Sequence, residues 1–148
     1  MSRAKRIEPV QDIAEDKEKK LAVSVVAFER RVTEAETKLQ ELERYRLEYQ
    51  QQYATRAARG MGVTDLRDYQ AFLARLNEAV KQQQALVQRA GDERDAERRR
   101  WQEAARKAKA LDHVIDKWKT EERRVADKRE QRDSDEFAQR APREDLPK

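Results

Sequence analysis

The feature that most constrains this chain is the absence of proline from residues 10–141. Proline breaks helices because its ring removes a backbone donor and clashes with the preceding turn. The three prolines stand at positions 9, 142 and 147. Pro9 can occupy the first turn of a helix, where a missing N–H costs nothing. The distribution therefore permits very long helices from about Pro9 onward, and we expect a disordered tail at residues 142–148.

One clear interruption divides this proline-free stretch, at residues 60–64. Gly60 and Gly62 can supply the positive φ angles that end a helix and reverse the chain. Thr64 is a candidate N-cap, and Asp65 then places negative charge on the first turn, where the helix dipole favours it. The sequence predicts a helix over about 9–59, a turn at 60–64 and a second helix over about 65–137.

Apolar residues recur at alternating spacings of four and three on both sides of this turn. Nine of ten such positions are apolar from Leu21 to Tyr53, and fourteen of twenty from Leu66 to Arg132. One narrow stripe of this kind is typical of a coiled-coil seam. Because a short turn makes neighbouring helices antiparallel, we predict an all-α fold, a single antiparallel coiled-coil hairpin. Residues whose numbers sum to about 122 should face each other.

The two predicted helices differ in length, so the second should overhang the first. At ~1.5 Å per residue the overhang is about 30 Å. Three of its seam residues, Ile115, Trp118 and Val125, would then have little or no partner. We therefore expect the end opposite the turn to dock into another molecule.

The seam is interrupted at residues 91–100, where Arg94 and Glu97 take inward positions. The predicted neighbour of this stretch is residues 22–31, which carry Val23, Val25, Val26 and Phe28. A glycine within a helix costs about 1 kcal/mol relative to alanine, and Gly91 begins the stretch. Two alternatives follow: a soft joint with exposed apolar surface, or long arginine stems that cover the valines.

No arrangement of residues indicates catalysis, a metal site or a cofactor. His113 is the only histidine, and it falls on an outward heptad position. There is no cysteine, no glycine-rich phosphate loop and no nucleophile motif. We therefore expect a protein that is not an enzyme and that has no cofactor.

Charge and hydropathy patterns bear on partners and location. Charged residues make up 43% of the chain and hydrophobic residues 37%, with a net charge of +4. Acidic residues interleave with most basic clusters, so a continuous nucleic-acid-binding groove is not expected. No apolar run approaches the ~20 residues of a membrane span, and no signal-peptide pattern follows the N-terminus. We expect a soluble cytoplasmic protein without membrane insertion.

A strip of apolar and aromatic residues beside the seam indicates a partner-binding surface near the turn. Its outer members occupy g positions of the heptad, which in an antiparallel pair line the same side of the hairpin. Exposed apolar strips commonly mark partner sites, and tyrosine is enriched at their energetic centres. The alternative is that Tyr45 and Phe72 fold over the seam and thicken the core. The g positions are Tyr45, Phe72, Ala79 and Leu86, and the adjacent seam residues are Leu42, Tyr49 and Leu76.

Several segments together resemble the FliJ family, the coiled-coil proteins of the bacterial flagellar type III export apparatus. The similarity covers the whole chain and includes the Arg-Ile-Glu-Pro-Val opening at residues 6–10. It is most distinctive in Leu-Glu-Arg-Tyr-Arg-Leu-Glu-Tyr at 42–49 and Asp-Tyr-Gln-Ala-Phe-Leu-Ala-Arg-Leu at 68–76. Two positions depart from the family pattern: Lys38 replaces an expected glutamine, and Gln83 replaces an expected histidine.

This resemblance implies a mechanism similar to that of the γ stalk of rotary ATP synthases. The free-ended part of the hairpin would insert into the pore of the hexameric export ATPase FliI. The strip near the turn would bind the cytoplasmic linker of the export-gate membrane protein FlhA. The chain would also hand over empty substrate-specific export chaperones. The resemblance places gate binding at Leu42, Tyr45, Tyr49, Phe72, Leu76, Ala79 and Gln83.

The implied location is the cytoplasmic face of the inner membrane at the flagellar base, with peripheral association. Two other interpretations remain open at this point. One is the stalk protein of a virulence type III secretion system, which only the tyrosine and phenylalanine blocks distinguish. The other is a purely structural coiled coil that dimerises through its overhang.

Overall fold

The computed structural model describes residues 2–140 and contains two long helices. Helix α1 spans Arg3–Ala58 and helix α2 spans Val63–Arg140. The described residues contain no strand, and the predicted all-α hairpin is confirmed. The tail expected at 142–148 lies outside the described residues. The chain divides into two compact units, a turn-side unit of residues 19–103 and a terminal unit of residues 1–18 and 104–148.

Helix α1 begins earlier than the sequence predicted. Ser2 caps it, because the Ser2 hydroxyl accepts a hydrogen bond from the Lys5 backbone N–H at 3.2 Å. The Ser2 carbonyl accepts the Arg6 N–H at 3.1 Å. Pro9 therefore lies inside the helix rather than at its start. A serine cap satisfies one of the free N–H groups of the first turn, which favours this earlier beginning.

The turn between the helices depends on one left-handed glycine. Gly60 has a φ of 95°, a conformation that glycine adopts without steric cost. The N–H groups of Arg59 and Gly60 donate to the carbonyls of Arg56 and Ala57, each at 3.1 Å. Helix α2 begins at Val63, so Thr64 lies within the helix and is not its N-cap as predicted.

In the turn-side unit the two helices pack antiparallel along the predicted seam. Arg46 donates to the Asn77 side-chain oxygen at 3.2 Å, and Gln83 donates to the Ala35 carbonyl at 2.9 Å. Both pairs fall close to the register expected from the turn. The buried apolar side chains of this unit belong to the seam: Val25, Val32, Leu76 and Val80.

In the terminal unit, the beginning of α1 packs against α2 through small side chains, and ion pairs lie beside them. Its buried residues are Ala4, Ala14, Ala104, Ala108 and Ile115. Arg3 forms an ion pair with Glu121 at 3.1 Å, and the Ala4 N–H donates to a Glu122 carboxylate oxygen at 3.3 Å. Lys119 lies 3.5 Å from Glu8. Alanines allow the helices to approach closely, and the ion pairs flank them.

Fewer seam residues of α2 extend beyond α1 than the sequence predicted. Ile115 is buried, and the Arg3 guanidinium lies 4.4 Å from the centre of the Trp118 ring. The expectation that these two residues lack partners was wrong, because α1 reaches back to Arg3 and covers them. Val125 remains 57% exposed, as predicted. We use "overhang" below for residues 123–140.

The apolar side chains of α1 at residues 22–31 in the turn-side unit differ in exposure. Val23 is 72% exposed and Val26 is 55% exposed, so arginine stems do not cover them. Arg98 instead pairs with Glu29 at 2.8 Å. Glu97 is buried at its inward position, where Arg100 contacts it at 3.2 Å. Val25 is buried, and the Arg31 guanidinium lies 4.6 Å from the centre of the half-buried Phe28 ring. Exposed apolar surface is therefore confirmed only at Val23 and Val26, and the soft joint stays a prediction.

Candidate partner-binding surface

Five aromatic rings meet across the two helices near the turn, and we call them the aromatic cluster. Tyr53 stacks on Tyr69 at 3.7 Å between ring centroids, and Tyr49 stacks on the same residue at 5.0 Å. Tyr49 also contacts Phe72 at 4.6 Å, and Phe72 meets the edge of Tyr45 at 6.1 Å. Stacked and edge-on pairs of this kind each add stability beyond area burial. The cluster therefore fixes this end of the hairpin.

Tyr69 has an unusual environment within the aromatic cluster. Burial raises the pKa of its phenol, and the neighbouring Tyr53 and Tyr49 raise it further. The cause is that ionisation would place a charge in a partly desolvated site, next to groups that can become negative themselves. Tyr69 therefore stays neutral at physiological pH and serves as a packing surface for its neighbours.

The predicted gate-binding residues are not equally accessible. Tyr45 is 49% exposed, whereas Leu42, Tyr49, Phe72 and Ala79 are half-buried. Leu76 and Gln83 are buried in the seam. The Gln83 amide is occupied by its hydrogen bond to the Ala35 carbonyl. In the free hairpin these last two side chains support the surface from beneath.

The aromatic g positions differ in how far they fold over the seam, and the partner-binding surface stays a prediction. Phe72 thickens the core, since it is packed against Tyr49. Tyr45 contacts Phe72 only by its edge and leaves half of its surface open. Leu86, another g position, is 47% exposed. We call the surface made by Leu42, Tyr45, Tyr49, Phe72, Ala79 and Leu86 the apolar strip.

Sequence reasoning placed Tyr53 and Tyr69 in the seam but missed that they form a cleft. The cleft has a volume of about 170 Å³ and lies beside the turn in the turn-side unit. The heptad signals only part of its lining, because Gln52 and Asp65 are the g positions next toward the turn. The lining residues are Tyr49, Gln52, Tyr53, Arg56, Met61, Asp65, Asp68 and Tyr69.

Other kinds of site find little support in the part of the chain that the structure describes. His113 is exposed, and no group of three or more His, Asp or Glu side chains there could hold a metal ion. Neither helix, over residues 2–140, includes a segment long and apolar enough to cross a membrane.

Comparison with known proteins identifies the family of the chain. The family model described as "Flagellar FliJ protein" matches residues 3–145. No curated protein and no solved structure shows significant similarity to the chain. The family match includes both helices, the turn and the aromatic blocks at 42–49 and 68–76. The chain therefore belongs to the FliJ family and is a component of the flagellar type III export apparatus.

Proposed function

We propose that the chain is a non-catalytic adaptor that binds the export gate through the apolar strip. The observation that carries this proposal is the exposure of Tyr45, which stands half open to solvent beside half-buried Phe72 and Tyr49. A large aromatic ring that is held by its edge and open on one face suits a binding hot spot. The occupant implied by the family is the cytoplasmic linker of FlhA.

The proposal also assigns the overhang to the export ATPase. Residues 123–140 are exposed, and α1 ends its pairing with α2 near Glu121 and Glu122. Two apolar side chains of the overhang, Val125 and Phe137, are 57% and 77% exposed. A single helix that carries exposed apolar residues and has no neighbouring helix is suited to enter the pore of the FliI hexamer. Handover of empty chaperones and peripheral location at the inner membrane complete the proposal.

The gate-binding part is tested most directly with Tyr45→Ala. We expect affinity for the FlhA linker to fall about tenfold or more, which corresponds to ~1.4 kcal/mol or more for a truncated hot-spot tyrosine. Isothermal titration calorimetry measures the affinity, and circular dichroism checks the helices. The double variant Tyr45→Ala, Tyr49→Ala should abolish binding, although Tyr49 also packs in the aromatic cluster.

Leu47→Ala is the matched control for this experiment. Leu47 is 54% exposed, lies two residues from Tyr45 and does not belong to the apolar strip. We expect its affinity to stay within about twofold of the wild type. If Leu47→Ala weakens binding as much as Tyr45→Ala, or if Tyr45→Ala loses helicity, the strip is not the gate-binding surface.

A structural dimer would behave differently in solution. Sedimentation velocity at several concentrations should show a monomer that shifts only when the export ATPase is added. A shift to twice the mass with rising concentration of this chain alone would favour the dimer instead.

A further inference from the structure

The cleft beside the turn combines aromatic faces with carboxylates. Tyr49, Tyr53 and Tyr69 line it together with Met61. The electron-rich faces of tyrosine rings attract cations, and a thioether adapts to the shape of the group beside it. This lining favours a flat or compact cation over an anion.

Two carboxylates and one guanidinium also line the cleft. Asp65 lies 4.0 Å from Arg56, at the outer limit of an ion pair. Asp68 has neither an ion pair nor a hydrogen bond to another described residue. The two carboxylates outnumber the one guanidinium of the cleft, and the Asp68 carboxylate has no ion-pair partner among the described residues.

The cleft continues the apolar strip. Along α2 the g positions run from Leu86 through Ala79 and Phe72 to Asp65, so the strip changes from apolar to acidic as it approaches the turn. Tyr49 belongs to both surfaces, since it packs on Phe72 and lines the cleft. A segment bound along the strip would therefore reach the cleft with its turn-side end.

We propose that this cleft binds an arginine side chain of the partner segment that lies on the apolar strip. This inference rests on the proposed function, and it adds the chemistry of one partner residue and the direction of the segment. Arginine fits better than lysine because its planar group stacks on tyrosine while it donates two hydrogen bonds to a carboxylate such as Asp68. Apolar residues of the same segment would cover Tyr45 and Leu86.

A probe that does not depend on the gate tests the cleft itself. N-acetyl-arginine amide is titrated into the full-length protein while the tyrosine ring resonances are followed by NMR. We expect shifts for Tyr53 and Tyr69 with an affinity on the order of millimolar, as weak exposed contacts would give. N-acetyl-norleucine amide, which has no charge, should leave these resonances in place.

Substitutions of two charged cleft residues should change the affinity for the arginine probe in opposite directions. Asp68→Asn should weaken the arginine probe about fivefold, as expected for a partly exposed ion pair. Arg56→Gln should strengthen it, because a competing cation is removed. Glu78→Gln is the control, since Glu78 is exposed on α2 at an outward heptad position. Equal shifts with norleucine amide, or no change in Asp68→Asn, would overturn the cleft as an arginine site.

The link to the gate is tested with a double-mutant cycle. Each arginine of the FlhA linker is replaced by glutamine and measured against wild type and Asp68→Asn. We expect one linker arginine to couple with Asp68 and the others to be additive. Additive results at every arginine would contradict the proposed occupant. If the linker fails to bind even the wild type, the proposed function fails, while the amide titration still decides whether the cleft binds arginine.

Discussion

At the residue scale, Tyr69 connects the packing of the turn end with its response to pH. It stacks with tyrosines on the facing helix. Burial raises the pKa of its phenol, and the neighbouring Tyr53 and Tyr49 raise that pKa further. A raised phenol pKa means that the folded state prefers the neutral form. Stability is therefore unaffected below the ordinary pKa of about 10 and is lost as pH rises through the higher folded value.

Tyr69→Phe should remove the part of the tyrosine ionisation curve that lies at the highest pH. The wild type, followed by phenolate absorbance, should titrate over a wider alkaline range when folded than in concentrated denaturant, where the environments become equivalent. The variant should narrow the folded curve and reduce the loss of stability above pH ~10. If the ionisation curve of the folded variant keeps the shape of the wild-type curve, the pKa of the Tyr69 phenol is not raised.

At the element scale, two glycines have opposite backbone requirements, one in the turn and one inside α2. Gly91 lies inside α2, and a Cβ placed on it would meet no heavy atom within 4 Å. Gly60 has equally open space, but its φ of 95° disfavours any residue with a Cβ. The two positions separate the effect of backbone conformation from that of packing.

Gly91→Ala should therefore stabilise the protein by about 1 kcal/mol, because alanine has the higher helix propensity. Thermal unfolding followed by circular dichroism should show a midpoint higher by roughly 2–4 °C for a chain of this size. Gly60→Ala should lower stability by about 1–2 kcal/mol, the cost of a left-handed residue with a side chain. Equal effects of the same sign in both variants would contradict this account.

The elements also show what could be predicted from the sequence. The register followed from the position of Gly60, since a tight turn fixes which seam residues face each other. The start of α1 did not follow, because Pro9 is a conspicuous signal and the Ser2 cap is a local hydrogen bond. The heptad placed Gln83 inward, but the partner of its amide is a backbone carbonyl of Ala35, which no side-chain pattern indicates.

The candidate site, like the helices, could be predicted only in part from the sequence. Heptad g positions located Tyr45, Phe72 and Leu86 on one side. The structure brings Tyr45 and Phe72 into contact, and Tyr45 is the more exposed of the two. The cleft was missed, since its lining includes Met61 from the turn and Asp68 from an outward position. Those contacts depend on how the turn folds, which periodicity does not describe.

At the scale of the whole molecule, the solvent-accessible area is large for the mass of the chain. The solvent-accessible area is 12285 Å², whereas a globular protein of 17.5 kDa would expose about 7,900 Å². Among residues 2–140, nine apolar side chains are buried, four in the turn-side unit and five in the terminal unit. We expect substitutions on the exposed helix surface outside these buried positions to have little effect on stability.

The overhang allows this expectation to be tested. Shortening the chain after Arg129 keeps every residue of the terminal unit that contacts α1 and removes exposed Phe137. The unfolding midpoint should stay within about 2 °C, because no interhelical burial is lost. Binding to the export ATPase, measured by co-sedimentation, should fall at least about tenfold if the overhang enters the ring.

Phe137→Ala is the point-variant control for this truncation. It removes the largest exposed apolar side chain of the overhang and leaves the helix length unchanged. Since truncated aromatic anchors typically cost more than 1 kcal/mol of binding, this variant should reproduce a large part of the loss without altering the unfolding midpoint. A truncated protein that binds the ATPase like the wild type would contradict the assigned role. A midpoint lowered by several degrees would instead show that the overhang stabilises the pairing of α1 and α2.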